Sequence, residues 1–186
     1  KIQKQELTGI LPDLFRAYLT FFLGLVLTGL GSGYYHLDPS NSTLVGDRMA
    51  ITISFMSFFV LIFGESISTK TASRLLLPLL FLGLSSVVYW NITEKLGTGD
   101  LRFYALVQFL PMLLIPLMFL FYGSCLSGRR WILAIILVYG AAKITEMYDH
   151  QIYELIGFSG HSLKHLIAAF GAFLFLKGLE VRKPIK

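Results

Sequence analysis

Cysteine is almost absent from this chain, and charge is scarce. Cys125 is the one cysteine among 186 residues, which excludes an internal disulfide framework and a multi-thiolate metal site. It sits in Gly-Ser-Cys-Leu-Ser-Gly between two apolar stretches and is expected to be a buried, inert thiol. Charged residues make up 15% of the chain, against about 25% in soluble domains. With 55% hydrophobic residues and a mean hydropathy of +0.68, much of the surface must face lipid. The net charge is +5, but its lysines and arginines lie in loops and termini. No basic run interleaved with aromatics tracks a phosphate backbone, so nucleic acid is excluded as a partner. Long linkers, repeats and low-complexity tracts are also lacking, so residues 1–186 are expected to form a single transmembrane helical domain.

Six apolar segments account for most of what is present: 14–35, 49–64, 75–90, 103–122, 131–144 and 162–179. A helix needs roughly 17–25 residues to cross the hydrocarbon core. The first, fourth and sixth reach that length alone, and the others need their polar flanks. The fifth is short and is expected to line the interior, continuing through Thr145-Glu-Met-Tyr-Asp149. Pro111 and Pro116 fall inside the fourth, where neighbouring helices can satisfy the freed carbonyls. Gly24, Gly29 and Gly31 allow close backbone approach along the first. The expected fold is therefore all-α, a polytopic membrane helix bundle with six visible transmembrane helices.

Basic residues orient these spans. One side collects Lys1, Lys4, Arg16, Lys70, Arg74, Arg129, Arg130, Lys177, Arg182, Lys183 and Lys186; the other has Arg48, Lys95, Arg102, Lys143 and Lys164. The positive-inside rule then places the C-terminus in the cytoplasm. Ser32, His36, Asp47, His161 and His165 share the opposite leaflet. The polar opening Lys1-Ile-Gln-Lys-Gln-Glu6 lacks the pattern of a signal peptide and reads as an interior stretch of a longer protein.

Three of the four histidines stand at the ends of apolar segments, where ionisable groups cost roughly 2.5–3.5 kcal/mol on insertion scales and usually mark function. Residues four apart share a helix face, so Ser32 projects with His36, and His161 with His165. A hydrolytic zinc takes three protein ligands and keeps a fourth position for water; His36, His161 and His165 fit that count. The plainer alternative is that each imidazole only hydrogen-bonds a neighbouring helix. Asp47, expected at the start of the second helix, is by itself a residue favoured by the helix dipole, and Ser32 by itself a packing hydroxyl. Beside zinc they fit a base for the water and a donor to the oxyanion. Glu146 and Asp149 either line the same entrance or pair with Lys143, and Tyr35 flanks His36. Lys164 is expected to snorkel toward headgroups, with orienting an acidic partner as the alternative, and His150 to be solvated in a polar loop. No pair of histidines is placed to sandwich a haem.

The segment Gly31-Ser-Gly-Tyr-Tyr-His-Leu-Asp-Pro-Ser-Asn-Ser-Thr-Leu-Val-Gly-Asp-Arg48, with Ser159-Gly-His-Ser-Leu-Lys-His-Leu166 and residues 143–153, resembles the bacterial branch of the alkaline ceramidase family. That family belongs to a superfamily that includes the adiponectin-type receptors. The resemblance implies a seven-helix bundle in a bacterial inner membrane, with the signature on its second helix, so that one helix precedes Lys1. It implies zinc held by His36, His161 and His165, Ser32 beside the metal, and Asp47 against the water that the metal activates. Gly46 departs from the bulky aromatic expected there, and the residues that build a calcium site in eukaryotic relatives are lacking, so no calcium is expected. The implied activity is zinc-dependent hydrolysis of the amide of a ceramide-like lipid that enters from the bilayer. Two alternatives stand beside it: a receptor-like lipid sensor with structural zinc, and a hydrolase of another lipid bond.

Overall fold

A computed structural model describes residues 8–185. Among them a 3-10 turn, Pro12–Leu14, leads into seven helices: α1 Phe15–Leu37, α2 Asn41–Ser66, α3 Thr69–Lys95, α4 Arg102–Phe121, α5 Arg130–Met147, α6 Asp149–Ile156 and α7 Gly160–Val181. No strand forms among the described residues, only an antiparallel bridge between Leu126 and Pro184. Five helices (α1 with its leading turn, α2, α3, α4 and α7) are long and apolar enough to cross a membrane. The pair α5 and α6 makes a sixth span only if counted together, and it is bent by 81°. The protein is all-α and polytopic. Lys1, Lys4 and Lys186, which enter the orientation argument, lie outside the described residues.

The chain forms two compact units. The first, Leu11–Ser124, holds α1 to α4. Its central helix is α2, 61% of whose apolar window is buried against 28% for α1 and α3. Glycines set how closely the helices meet. A Cβ at Gly24 would fall 2.6 Å from Ser54 Oγ, and one at Gly83 would fall 3.0 Å from Met56 Cγ. Gly31 meets backbone rather than side chain: its Cβ would stand 3.1 Å from Asp47 Cα and 3.2 Å from Asp47 N. Gly29 does not serve this purpose, since nothing lies within 4 Å of it.

Helix α2 starts eight residues earlier than its apolar run. Ser40 caps it, its side chain accepting from Thr43 N while the Thr43 side chain answers the Ser40 backbone. This reciprocal box satisfies two N–H groups that would otherwise be orphaned. The interval between the first two apolar segments, residues 36–48, is therefore mostly helical, and only residues 38–40 lie between α1 and α2. Ser68 caps α3, its side chain accepting from Thr71 N without a reciprocal bond to its own backbone. In the loop between α3 and α4, Asp100 accepts from Arg102 Nε at 2.9 Å, from Arg102 Nη2 at 2.7 Å and from Arg102 N at 3.0 Å. The Arg102 guanidinium thereby holds the Asp100 carboxyl well below the usual carboxylate range.

The second unit runs from Cys125 onward and includes residues 8–10. Here α5 and α7 pack together, and Gly9 N donates to Leu179 O at 2.8 Å. Cys125 is exposed, not buried as its apolar flanks suggest. It belongs to an irregular segment whose backbone pairs with the chain end, Ile185 N donating to Cys125 O at 2.8 Å. The expected continuation of α5 stops at Met147. After the bend the chain forms α6, an eight-residue helix closed by Gly157 at φ 68°, a conformation glycine adopts without a Cβ penalty. His150 is therefore on a helix, not in a loop; it is exposed and lies 3.2 Å from Glu154 Oε1.

Candidate metal centre

The predicted residues divide between the units. In the first, Ser32, Tyr35 and His36 occupy the last two turns of α1. Ser32 and His36 share a face by their spacing, and the Tyr35 and His36 rings meet edge to face at 5.2 Å. Asp47 is half-buried and is the seventh residue of α2. A dipole effect fades within the first turn, so the helix-end explanation for this carboxylate fails. Its backbone is held against α1 at Gly31. Gly46 beside it faces open space, so the missing aromatic leaves the contact between α1 and Asp47 untouched.

In the second unit, His161 and His165 lie in the first turns of α7 and are half-buried. Their Nε2 atoms are 3.1 Å apart and the rings stand edge to face at 4.8 Å. Two nitrogens bound to one tetrahedral zinc at about 2.0–2.1 Å stand about 3.3–3.4 Å apart. The pair is thus already near the separation a shared metal requires, and a hydrogen bond between neutral rings also spans it. These donors fit zinc.

A local network fixes where α7 begins. Ser159 caps the helix, its side chain accepting from His161 N and Ser162 N. Asp149 Oδ1 accepts from Ser159 Oγ at 2.8 Å and from His161 N at 2.9 Å. Asp149 therefore acts on the histidine pair through the backbone and is not paired with Lys143. Lys143 is bound instead by Glu146 at 2.7 Å. Glu146 also binds Lys164 at 2.9 Å. Lys164 is accordingly tied to an acid, the less favoured of its two sequence readings; its Nζ lies 3.4 Å from His161 Nδ1. Glu146 offsets the charge of a lysine that would otherwise face His161 uncompensated.

Sequence reasoning passed over two residues of the first unit. Arg48, next to Asp47, stacks its guanidinium 3.8 Å above Trp90 and 5.2 Å from Tyr104. Cation–π contacts of this kind hold an arginine in place. Trp90 and Tyr104 form a buried cluster with Val87, against which Leu44, Val45 and Met49 pack. Glu65 is buried in α2 and accepts from Ser124 Oγ. Arg48 carries no sequence mark of stacking, because Trp90 comes from α3 and Tyr104 from α4. No family model, curated protein or solved structure matches the chain.

Proposed function

We propose that this protein is a zinc-dependent hydrolase acting on the amide bond of a ceramide-like membrane lipid, akin to the alkaline ceramidases. The observation that carries the reading is the histidine pair of α7, with its Nε2 atoms 3.1 Å apart at a helix start fixed by Asp149 and Ser159. His36 supplies the third imidazole. Counting crossings supports this. If α5 and α6 together complete one span, the end of α1 and the start of α7 reach the same membrane face. By the distribution of lysine and arginine, that face is the extracytoplasmic one.

His36, His161 and His165 would hold the metal in their neutral forms. Zinc supplies Lewis acidity, polarising a carbonyl and bringing the pKa of a coordinated water toward about 7. Glu146, 2.9 Å from the Lys164 ammonium, would compensate that charge beside His161 when the metal is held. The Asp47 carboxylate takes a proton from the attacking water and passes it to the leaving amine nitrogen. The Ser32 hydroxyl donates to the carbonyl oxygen as that atom gains negative charge. The C–N bond breaks and a C–O bond forms, leaving a fatty acid and a free amine. Spans with exposed apolar residues, such as Phe81 in α3 and Phe170 in α7, suit entry of the lipid from the side.

The test is mass spectrometry of fatty acid released from a panel of lipid amides, ceramides included, by the wild type and by Asp47→Asn. Asp47→Asn is expected to keep zinc while losing about 10²–10⁴-fold in turnover, the usual worth of a positioned base. Unchanged turnover would remove Asp47 from the mechanism. No release from any amide by zinc-loaded wild type would overturn the amidase reading.

A further inference from the structure

The end of α7 remote from its histidines carries a cleft that the proposed chemistry does not use. From His161 to Arg182 the chain advances about 31 Å at 1.5 Å per residue, close to the thickness of the hydrocarbon core. The cleft therefore lies at the opposite membrane surface. Its volume is about 620 Å³, and Arg129, Arg130, Trp131 and Arg182 are among the residues that line it, with no acidic residue in the lining.

This cleft is built, not incidental. Ser127 N donates to Lys183 O at 2.7 Å, and Lys183 N donates to Ser127 Oγ at 2.9 Å. These bonds stitch the segment before α5 to the segment after α7. Arg182 is only 2% exposed, and its Nε donates to Ser127 O at 2.8 Å. Gly128, at φ 66°, turns the chain into α5, and a Cβ there would stand 3.2 Å from Trp131 Cδ1. No side chain caps the N-terminus of α5, which adds a partial positive charge to the three arginines.

Two exposed guanidinium groups, Arg129 and Arg130, with the buried charge of Arg182 behind them and a helix N-terminus beside them, call for an anion. Arginine forks match phosphate oxygens, and a tryptophan at the cleft wall suits the headgroup level of a bilayer. Basic pockets between membrane helices commonly hold anionic headgroups. We propose that this cleft binds the phosphate of an anionic phospholipid headgroup, independently of the metal chemistry at the other face.

The full chain in detergent would be titrated with phosphatidylglycerol, phosphatidylcholine and inorganic phosphate, with bound lipid counted by native mass spectrometry. Phosphatidylglycerol is expected to be retained over phosphatidylcholine. Exposed Arg129 and Arg130 can be changed without touching buried Arg182. Arg129→Gln or Arg130→Gln should weaken retention about fivefold each, and the pair about thirtyfold. Arg16→Gln with Arg74→Gln, equally basic but outside the cleft, should leave it unchanged. Equal retention of the two lipids, or an Arg129→Gln/Arg130→Gln variant that holds phosphatidylglycerol as the wild type does, would overturn the proposal. Displacement of the lipid by millimolar inorganic phosphate would also overturn it, making the ligand a free phosphate.

Discussion

Gly31→Ala and Gly29→Ala form a matched pair, two residues apart on α1. Each adds one methyl group and the same gain in helix propensity, about 1 kcal/mol in a helix interior, so that term cancels between them. The difference lies in what the methyl meets. At Gly29 it meets nothing within 4 Å; at Gly31 it would stand 3.1 Å from Asp47 Cα, 3.2 Å from Asp47 N and 3.3 Å from Gly46 O. Unstrained carbon contacts lie at about 3.5–4.0 Å, and all three obstructing atoms are backbone. They cannot rotate away, so α1 and α2 must part by a few tenths of an ångström. Overpacking of this kind costs about 1–3 kcal/mol. Gly31→Ala should therefore be less stable than Gly29→Ala by about that amount, measured by reversible unfolding in mixed micelles. Because the displaced backbone is that of Asp47, turnover should also fall about tenfold in Gly31→Ala alone. Equal stability and equal activity in the two variants would refute the close approach as the device that positions Asp47.

The other consequences concern charge and capping. Asp149→Ala removes the acceptor for Ser159 Oγ and His161 N, and should cost about 0.5–2 kcal/mol, the worth of a helix cap; zinc affinity, read by competition with a chelating dye, should drop with it. Glu146→Gln leaves Lys164 facing His161 without its counter-charge, so zinc affinity should fall, and Glu146→Gln/Lys164→Gln should recover most of the loss. A double variant as weak as the single one would remove Lys164 from the explanation. Asp100 has its pKa lowered on folding from 3.8, so its contribution to stability is full above that value and is lost as pH falls toward the folded one. The gap in melting temperature between the wild type and Asp100→Asn should hold from about pH 8 to 5 and narrow below about pH 4; a gap that widens in acid would contradict this.

The spans were legible because lipid-facing helices need long apolar runs, and such runs are hard to hide. The start of α2 was not, because residues 41–48 are mostly polar and carry no apolar period. The signal that was there, Ser40 three residues before Thr43, is a capping box closed by threonine in place of the usual Glu or Gln. Helix α6 was missed for a related reason. Its eight residues are too short to show a convincing period, although Gly157 at its end was a fair stop signal. The histidine pair could be read from spacing alone. The roles of Glu146 and Asp149 could not: the bond from Lys164 to Glu146 depends on α5 packing against α7, and the bonds to Asp149 on the 81° bend between α5 and α6. The arginine cleft was invisible for the same kind of reason: residues 127 and 183 are joined by backbone pairing that no local pattern announces.

The central claim is that His36, His161 and His165 together hold one zinc ion. Metal content per chain, measured by inductively coupled plasma mass spectrometry after zinc loading and desalting, tests it most directly. The wild type should retain one zinc per chain, and His36→Ala, His161→Ala and His165→Ala should each lose most of it, while His150→Ala keeps it. Full occupancy in His36→Ala, or a wild type that retains no zinc, would contradict the account.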